Sequence, residues 1–161
     1  MKKLLSFNNL IAVFGVIALL LFLTPCYQVK LNDSIQINLN LFQTTFGTNL
    51  APSDVGWIVS CGGLIVVFVF VIIGIVTAIA RNFVKGVTLL GAPLFITAGI
   101  IAFASEGMVR SANYNAGIGI GRTIYMQGWT IAIGVILCLI GVLALIDGLM
   151  SISKPKQKEV Y

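Results

Sequence analysis

Apolar residues run along this chain in four long blocks, at about residues 4–24, 56–80, 84–104 and 128–150. A helix crossing a hydrocarbon core roughly 30 Å thick needs about 20 such residues, and each block reaches that length. The second block contains the β-branched run Ile65-Val-Val-Phe-Val-Phe-Val-Ile-Ile73, which in water reads as a buried strand. In lipid only a helix satisfies its own backbone, so length decides for a helix. Four membrane spans are expected.

Between the first two blocks the pattern changes to period two. Tyr27, Val29 and Leu31 alternate with Gln28 and Lys30, and Ile35, Ile37, Leu39 and Leu41 alternate with Gln36, Asn38 and Asn40. Asn32-Asp33-Ser34 between them is turn chemistry. The whole predicts a β-hairpin whose apolar face carries Val29, Leu31, Ile35, Ile37, Leu39 and Leu41. Residues 43–49 add a short strand or a loop, and Pro52-Ser53-Asp54 caps the second span. Before the fourth span, Gly117-Ile-Gly-Ile-Gly-Arg-Thr-Ile-Tyr125 reads as a Gly-rich strand joining the hairpin's edge. A lone hairpin is marginal; a third strand and the helix tops would cover its apolar face. The expected fold is a single membrane domain, an all-α four-helix transmembrane bundle with a small exoplasmic β-sheet. That sheet is built from outer loops 25–55 and 105–127, and a cytoplasmic tail follows over 151–161.

Composition narrows the class. Of 161 residues, 58% are hydrophobic and 9% charged, where a soluble domain carries about a quarter charged. That excludes a water-soluble enzyme, a nucleic-acid-binding domain and a disordered chain. The net charge of +5 comes from cations beside the spans, with no aromatic-interleaved basic patch for nucleic acid. Lys2, Lys3, Arg81, Lys85, Lys154, Lys156 and Lys158 fall on one side of the spans; Lys30, Arg110 and Arg122 fall on the other. The positive-inside rule then puts both termini in the cytoplasm of a multi-pass cell-membrane protein. Trp57, Trp129 and Tyr27 form an aromatic belt on the outer side. The first block also fits a signal peptide ending near Cys26, but Pro25 disfavours cleavage, so an uncleaved first span is expected.

Candidate chemistry is sparse. Gly134, Gly141 and Gly148 recur every seven residues with Ala144 between the last two, and Gly56, Ser60 and Gly63 mark a similar line on the second span. Small residues let helices approach closely in lipid, and packing within the bundle is favoured over oligomer contacts. Pro93 with Gly91 should kink the third span. Asp147 is the one acid inside a span, a functional candidate by default; pairing with Lys85 or Arg81 is expected, since only Thr77, Thr88 and Thr97 could extend a polar path. Cys26 and Cys61 both fall near the outer boundary, where one disulfide is geometrically feasible. The odd count and mid-span Cys138 leave no framework, and free thiols are expected. The Gly-rich segment has neither the strand–helix setting of a phosphate loop nor the apolar pore helix of a selectivity filter. No catalytic group, metal or cofactor is expected, and no small-molecule substrate.

The layout resembles the claudin and peripheral-myelin-protein group of tetraspan proteins. The segment Gly121-Arg-Thr-Ile-Tyr125-Met-Gln-Gly128-Trp129 is similar in spacing to the approach to that group's last span. That group's first outer loop carries a Trp, a Gly-Leu-Trp triplet and two Cys. Here loop 25–55 has no Trp and only Cys26 at its edge. The resemblance therefore implies a shape, a bundle supporting an outer sheet used for lateral or cell–cell contacts. The function expected is non-enzymatic, through contacts with membrane lipid and with other membrane proteins or its own copies. The alternative is a small channel or an accessory subunit of a transporter.

Overall fold

The computed structural model describes residues 7–30, 36–49, 57–116 and 123–153. Among them the order is α1 (Phe7–Leu21), β1 (Pro25–Lys30), β2 (Gln36–Asn40), α2 (Leu41–Phe46), β3 (Thr48–Asn49), β4 (Trp57–Ile58), α3 (Gly62–Ala80), α4 (Thr88–Asn115), β5 (Thr123–Met126) and α5 (Gly128–Ser153). Leu31, Ile35, Gly56, the turn at 32–34, the cap at 52–54, the glycines at 117–121 and the lysines near both termini lie outside the described residues.

Helices α1, α3, α4 and α5 pack in an up-down-up-down bundle. Three of them, α3, α4 and α5, are long and apolar enough to cross a membrane. The perimeter is apolar as well: Val13, Ile17 and Leu20 of α1, Val69, Ile72 and Val76 of α3, and Val135, Leu139 and Val142 of α5 are all exposed. A soluble monomer rarely exposes contiguous apolar surface of this kind, so the three long helices mark a membrane protein. Inside, Ile11, Ala18, Leu64, Val67, Val71, Phe95, Ile133 and Leu137 form one continuous core.

Helix α4 has 28 residues and, at about 1.5 Å per residue, is about 42 Å long. It overruns the third span expected over 84–104, and Ser105–Asn115, read as outer loop, is its continuation. Ser105, Val109 and Asn113 are buried on one stripe of that extension, spaced by four so that they share a face. The second span is shortened instead. Trp57–Ile58 pairs with Thr48–Asn49 as a small antiparallel ladder, and α3 begins only at Gly62.

The sheet has the order β2-β1-β5, antiparallel throughout. Val29 sits opposite both Ile37 and Ile124, and Tyr27 opposite both Leu39 and Met126. Leu41, read as the last strand residue, opens α2. The Asn40 side chain accepts from the Gln43 amide at 2.8 Å, and the Gln43 side chain accepts from the Asn40 amide at 3.0 Å. That reciprocal capping box starts a helix and ends the strand although the alternation continues through Leu41. At the far end of α2, Gly47 has φ +81°, and a Cβ there would lie 2.8 Å from the Ile58 carbonyl oxygen. Only glycine fits this return towards α3.

Candidate functional site

Two faces of the sheet divide the labour. Tyr27, Val29, Leu39 and Ile124 are buried against the helix ends, while Gln36, Asn38, Thr123 and Tyr125 face outwards. The outward face is knitted by polar side chains: Gln28 donates to Gln36 at 3.0 Å, and Gln127 donates to Asn38 at 3.0 Å. The Lys30 ammonium and the Arg110 guanidinium lie 5.5 and 5.7 Å from the centre of the Tyr125 ring, within reach of its quadrupole.

The two long edges of the sheet differ. In an antiparallel ladder alternate residues turn their backbone groups to opposite sides. On β5 the outward-turned groups belong to Ile124 and Met126, and the extension of α4 occupies them. Arg110 Nε donates to the Ile124 carbonyl at 2.7 Å, and Glu106 Oε2 accepts from the Met126 amide at 3.1 Å. Glu106 and Arg110 also pair with each other at 2.7 Å. The edge of β5 is thus sealed. On β2 the outward-turned groups belong to Gln36, Asn38 and Asn40. Asn40 is engaged by α2, its amide donating to Gln43 and its carbonyl accepting from Thr44 Oγ1 at 3.2 Å. Among the described residues no backbone hydrogen bond reaches the outward groups of Gln36 and Asn38.

Beneath the sheet, hydrogen bonds tie its strands and the segments beside them to the helix ends. The Leu41 amide donates to the Phe22 carbonyl at 3.0 Å, the Cys61 amide to the Thr44 and Thr45 carbonyls, and the Gln127 amide to the Cys26 carbonyl at 2.8 Å. Thr130 Oγ1 donates to the same Cys26 carbonyl at 2.7 Å, and the Val59 amide donates to Asn113 Oδ1 at 3.1 Å. Phe68 meets Phe22, Phe42 and Phe46 with ring centres 5.0–6.1 Å apart. Cys26 and Cys61 are buried free thiols. Burial raises the Cys26 thiol above its ordinary value, opposed by hydrogen bonding with Thr130 and Thr24. Tyr27, read as an aromatic-belt residue, is fully buried, and its hydroxyl finds no hydrogen-bond partner among the described residues. Its neighbour Ser105 is committed to the Ala102 carbonyl at 2.5 Å. Burial pushes the Tyr27 phenol strongly upwards.

At the opposite end of the bundle Asp147 is buried. Its Oδ2 accepts from Arg81 Nε at 3.2 Å and from Thr88 Oγ1 at 3.1 Å. The carboxylate therefore joins α3, α4 and α5; Lys85, the other cation considered for it, is exposed in the turn between α3 and α4. Gly86 in that turn has φ +76°, and its amide donates to Ser151 Oγ at 2.9 Å.

The small residues of α5 face α4. A Cβ at Gly141 would lie 2.5 Å from Ile96 Cγ1 and 3.0 Å from the Ala92 carbonyl oxygen. At Gly134 it would meet Phe103 at 2.9 Å, and at Gly148 it would meet Leu89 at 2.6 Å. Gly99 of α4 approaches the Gly134 carbonyl in return, and Ala144 is buried on the same stripe. Gly63 of α3 faces Met108 of α4. Ser60, assigned to the helical stripe of the second span, is exposed and precedes α3, because the ladder with β3 holds that segment extended.

Sequence reasoning missed Glu106, Arg110 and Asn113 as the residues that attach the sheet. The spacing Glu106–Arg110 is an i,i+4 helical pair and carried the signal. It also missed the Asn40-x-x-Gln43 capping signature. Among the described residues no group of three His, Cys, Asp or Glu side chains is placed to hold a metal ion. Set against known proteins, the chain matches no family model, no curated protein and no solved structure.

Proposed function

We propose that the chain is a four-span integral membrane protein of the cell membrane, with both termini cytoplasmic and the three-stranded sheet outside. It acts without catalysis, by pairing that sheet with other membrane proteins or a second copy. Helix α1 is the fourth span in this reading. Its 15 helical residues are continued through residue 24 by the turn bonds from Phe22, Leu23 and Thr24 to Leu19, Leu20 and Leu21. Its outward side is as apolar as those of its neighbours. The claudin-like arrangement of a bundle supporting an outer sheet belongs to the same reading.

The observation that carries the reading is the unequal treatment of the sheet's two edges. One is closed by an ion pair on α4; the other, among the described residues, presents the backbone of Gln36 and Asn38. An unpaired edge is a template for strand addition. The transport alternative draws less support. Asp147 is engaged by Arg81 and Thr88, while the Thr77 hydroxyl is turned back to the Gly74 carbonyl at 2.7 Å.

The test is mass measurement after purification in gentle detergent, on the native chain and on Asn38→Pro. Proline removes the edge donor yet is tolerated on an edge strand. Assembly of the native chain that Asn38→Pro abolishes supports the reading. A native monomer that conducts ions, with conduction lost in Asp147→Asn, overturns it. Cysteines introduced at Ser111 and Ser153 fix the sides: an impermeant reagent should label the first and spare the second in intact cells.

A further inference from the structure

The short helix α2 sits low against the side of α3. Phe42 and Phe46 are spaced by four and share a face, and their ring centres lie 5.0 and 5.8 Å from that of Phe68 on α3. The same ring meets Phe22, just past the end of α1, at 6.1 Å.

The level of the Phe68 ring in a bilayer follows from the length of α3. Its 19 residues span about 28 Å, close to the roughly 30 Å of a hydrocarbon core. The ladder with β3 holds the chain extended before it, and Arg81 follows it directly. The crossing therefore has no residues to spare, and Gly62 marks the hydrocarbon boundary on the sheet's side. Phe68 comes six residues later, about 9 Å below that boundary. Side chains lean back towards a helix's N-terminus, so the ring rides somewhat higher, still inside the hydrocarbon. What closes around it shares that level.

The residues of α2 suit that place. Thr44 Oγ1 donates to the Asn40 and Leu41 carbonyls at 3.2 and 3.0 Å, and Thr45 Oγ1 donates to the Leu41 carbonyl at 2.6 Å. Neither hydroxyl needs water. The Cys61 amide donates to the Thr44 and Thr45 carbonyls at 3.2 Å. Backbone other than a full span is tolerated at membrane depth where protein satisfies its polar groups. Phe46 leaves 54% of its surface exposed, and Leu20, Leu23 and Ile65 at the same end of α1 and α3 are exposed as well. The apolar perimeter of the bundle thus continues onto α2.

We propose that α2 is embedded in the membrane, its Phe42–Phe46 face set among the lipid acyl chains of the leaflet on the sheet's side. The inference rests on α3 spanning the bilayer and is independent of what the sheet pairs with. Asn40 ends β2 and caps α2, so this seat tethers the strand with the unsealed edge to the leaflet.

The full native chain is reconstituted in vesicles of phosphatidylcholine carrying a diazirine midway along one acyl chain, irradiated, and mapped by mass spectrometry. Adducts are expected on the peptide holding Phe42 and Phe46, as well as on the exposed side of α3 around Val69 and Ile72. Nitroxide labels then give the depth, with any label taken by the native thiols subtracted. A label on Phe46→Cys should meet oxygen, which concentrates in hydrocarbon, more often than a water-soluble nickel chelate, as one on Ile72→Cys does. A label on Thr123→Cys, on the outward face of the sheet, should show the reverse. Phe46 is half exposed, so an unfolding midpoint equal to the native chain's shows that its variant is folded; the adduct map needs no variant. Adducts on α3 with none around Phe46 overturn the proposal and leave the span standing. So does a Phe46→Cys label that meets the chelate as often as the one on Thr123→Cys. Adducts missing from α3 as well overturn the spanning reading and the proposal with it. Adducts around Phe46 that appear only in Asn38→Pro would show that a second copy covers this face in place of lipid, which also overturns it.

Discussion

The seam between α4 and α5 and the cap formed by the sheet solve the same problem, joining segments distant in sequence, with opposite materials. Along the seam the backbone is already satisfied within each helix. What remains is closeness, and glycines on both sides supply it: Gly99, Gly134, Gly141 and Gly148 remove the atoms that would hold the helices apart. At the cap the backbone is irregular, and its polar groups need partners. Those partners come from side chains scattered over α2, α4 and α5, namely Gln43, Glu106, Arg110, Asn113 and Thr130. The seam's contacts run the length of two helices, so what disturbs one is felt along both. Those of the cap are each local.

The largest effect should therefore come from the seam. Gly141→Leu places a side chain where even a Cβ meets Ile96 and two backbone atoms of α4, and backbone cannot rotate away. Overpacking of this kind costs on the order of 3 kcal/mol, read as a drop in thermal midpoint in detergent. Ile140→Leu next to it keeps the volume and should cost less than about 1.5 kcal/mol. Equal midpoints for the two would remove close approach as the seam's organising principle.

Asp147 ties the seam to the end of α3 through Arg81, and its loss should rank second. Asp147→Ala leaves Thr88 and Arg81 without their common acceptor, a loss of about 2 kcal/mol for hydrogen bonds to a charged group. Asp147→Asn keeps an acceptor oxygen for one of them and should lie between. A midpoint for Asp147→Ala indistinguishable from the native chain's would mean that Arg81 finds equal partners at the bundle end.

At the cap the expected change is smaller and local. Glu106→Ala removes the acceptor of the Met126 amide, for about 1 kcal/mol. The ion pair with Arg110 adds little, since both side chains are partly in solvent. Hydrogen exchange at Met126 should quicken while the seam amides keep their rates. Glu106→Gln, which still accepts, should restore most of the protection. Quickening spread evenly over α4 and α5 would show that seam and cap are one cooperative unit.

The contrast also explains what could be read from the residues alone. Helix-scale apolar blocks and a seven-residue glycine period announce α3, α4 and α5, because lipid and close packing each leave a periodic mark. Alternation announces the β1–β2 face of Val29, Ile37 and Leu39. The overrun of α4 past Ala104 is hidden because hydropathy reports what faces lipid, and Ser105–Asn115 is a helix that faces the sheet. Leu41 misleads for a related reason: it keeps the period-two pattern, while two amide side chains, Asn40 and Gln43, turn the backbone. The Arg81–Asp147 tie is half legible. Sequence narrows the partner to Arg81 or Lys85, and the choice depends on how the turn is wound, which Gly86 and Ser151 fix.

The finest test of the cap is the titration of what it buries. Cys26 and Tyr27 are held protonated by desolvation, above ordinary values of 9.0 and 10.0. In the unfolded chain both regain those ordinary values. The stability they leave in place is complete below pH 9 and drains away above it, because the unfolded chain releases protons that the folded chain keeps. Each group contributes at most about 1.4 kcal/mol per pH unit while it is ionised only in the unfolded chain. Tyr27→Phe removes one of the two and also removes a buried hydroxyl that has no partner among the described residues. At pH 7 that variant should equal the native chain or exceed it by less than about 1 kcal/mol. Between pH 10 and 11 its midpoint should fall less steeply than the native chain's. A Tyr27→Phe variant that is less stable at pH 7 would show that the hydroxyl bonds to Ser105 after all, and the cap would then be tied through its centre as well as its rim.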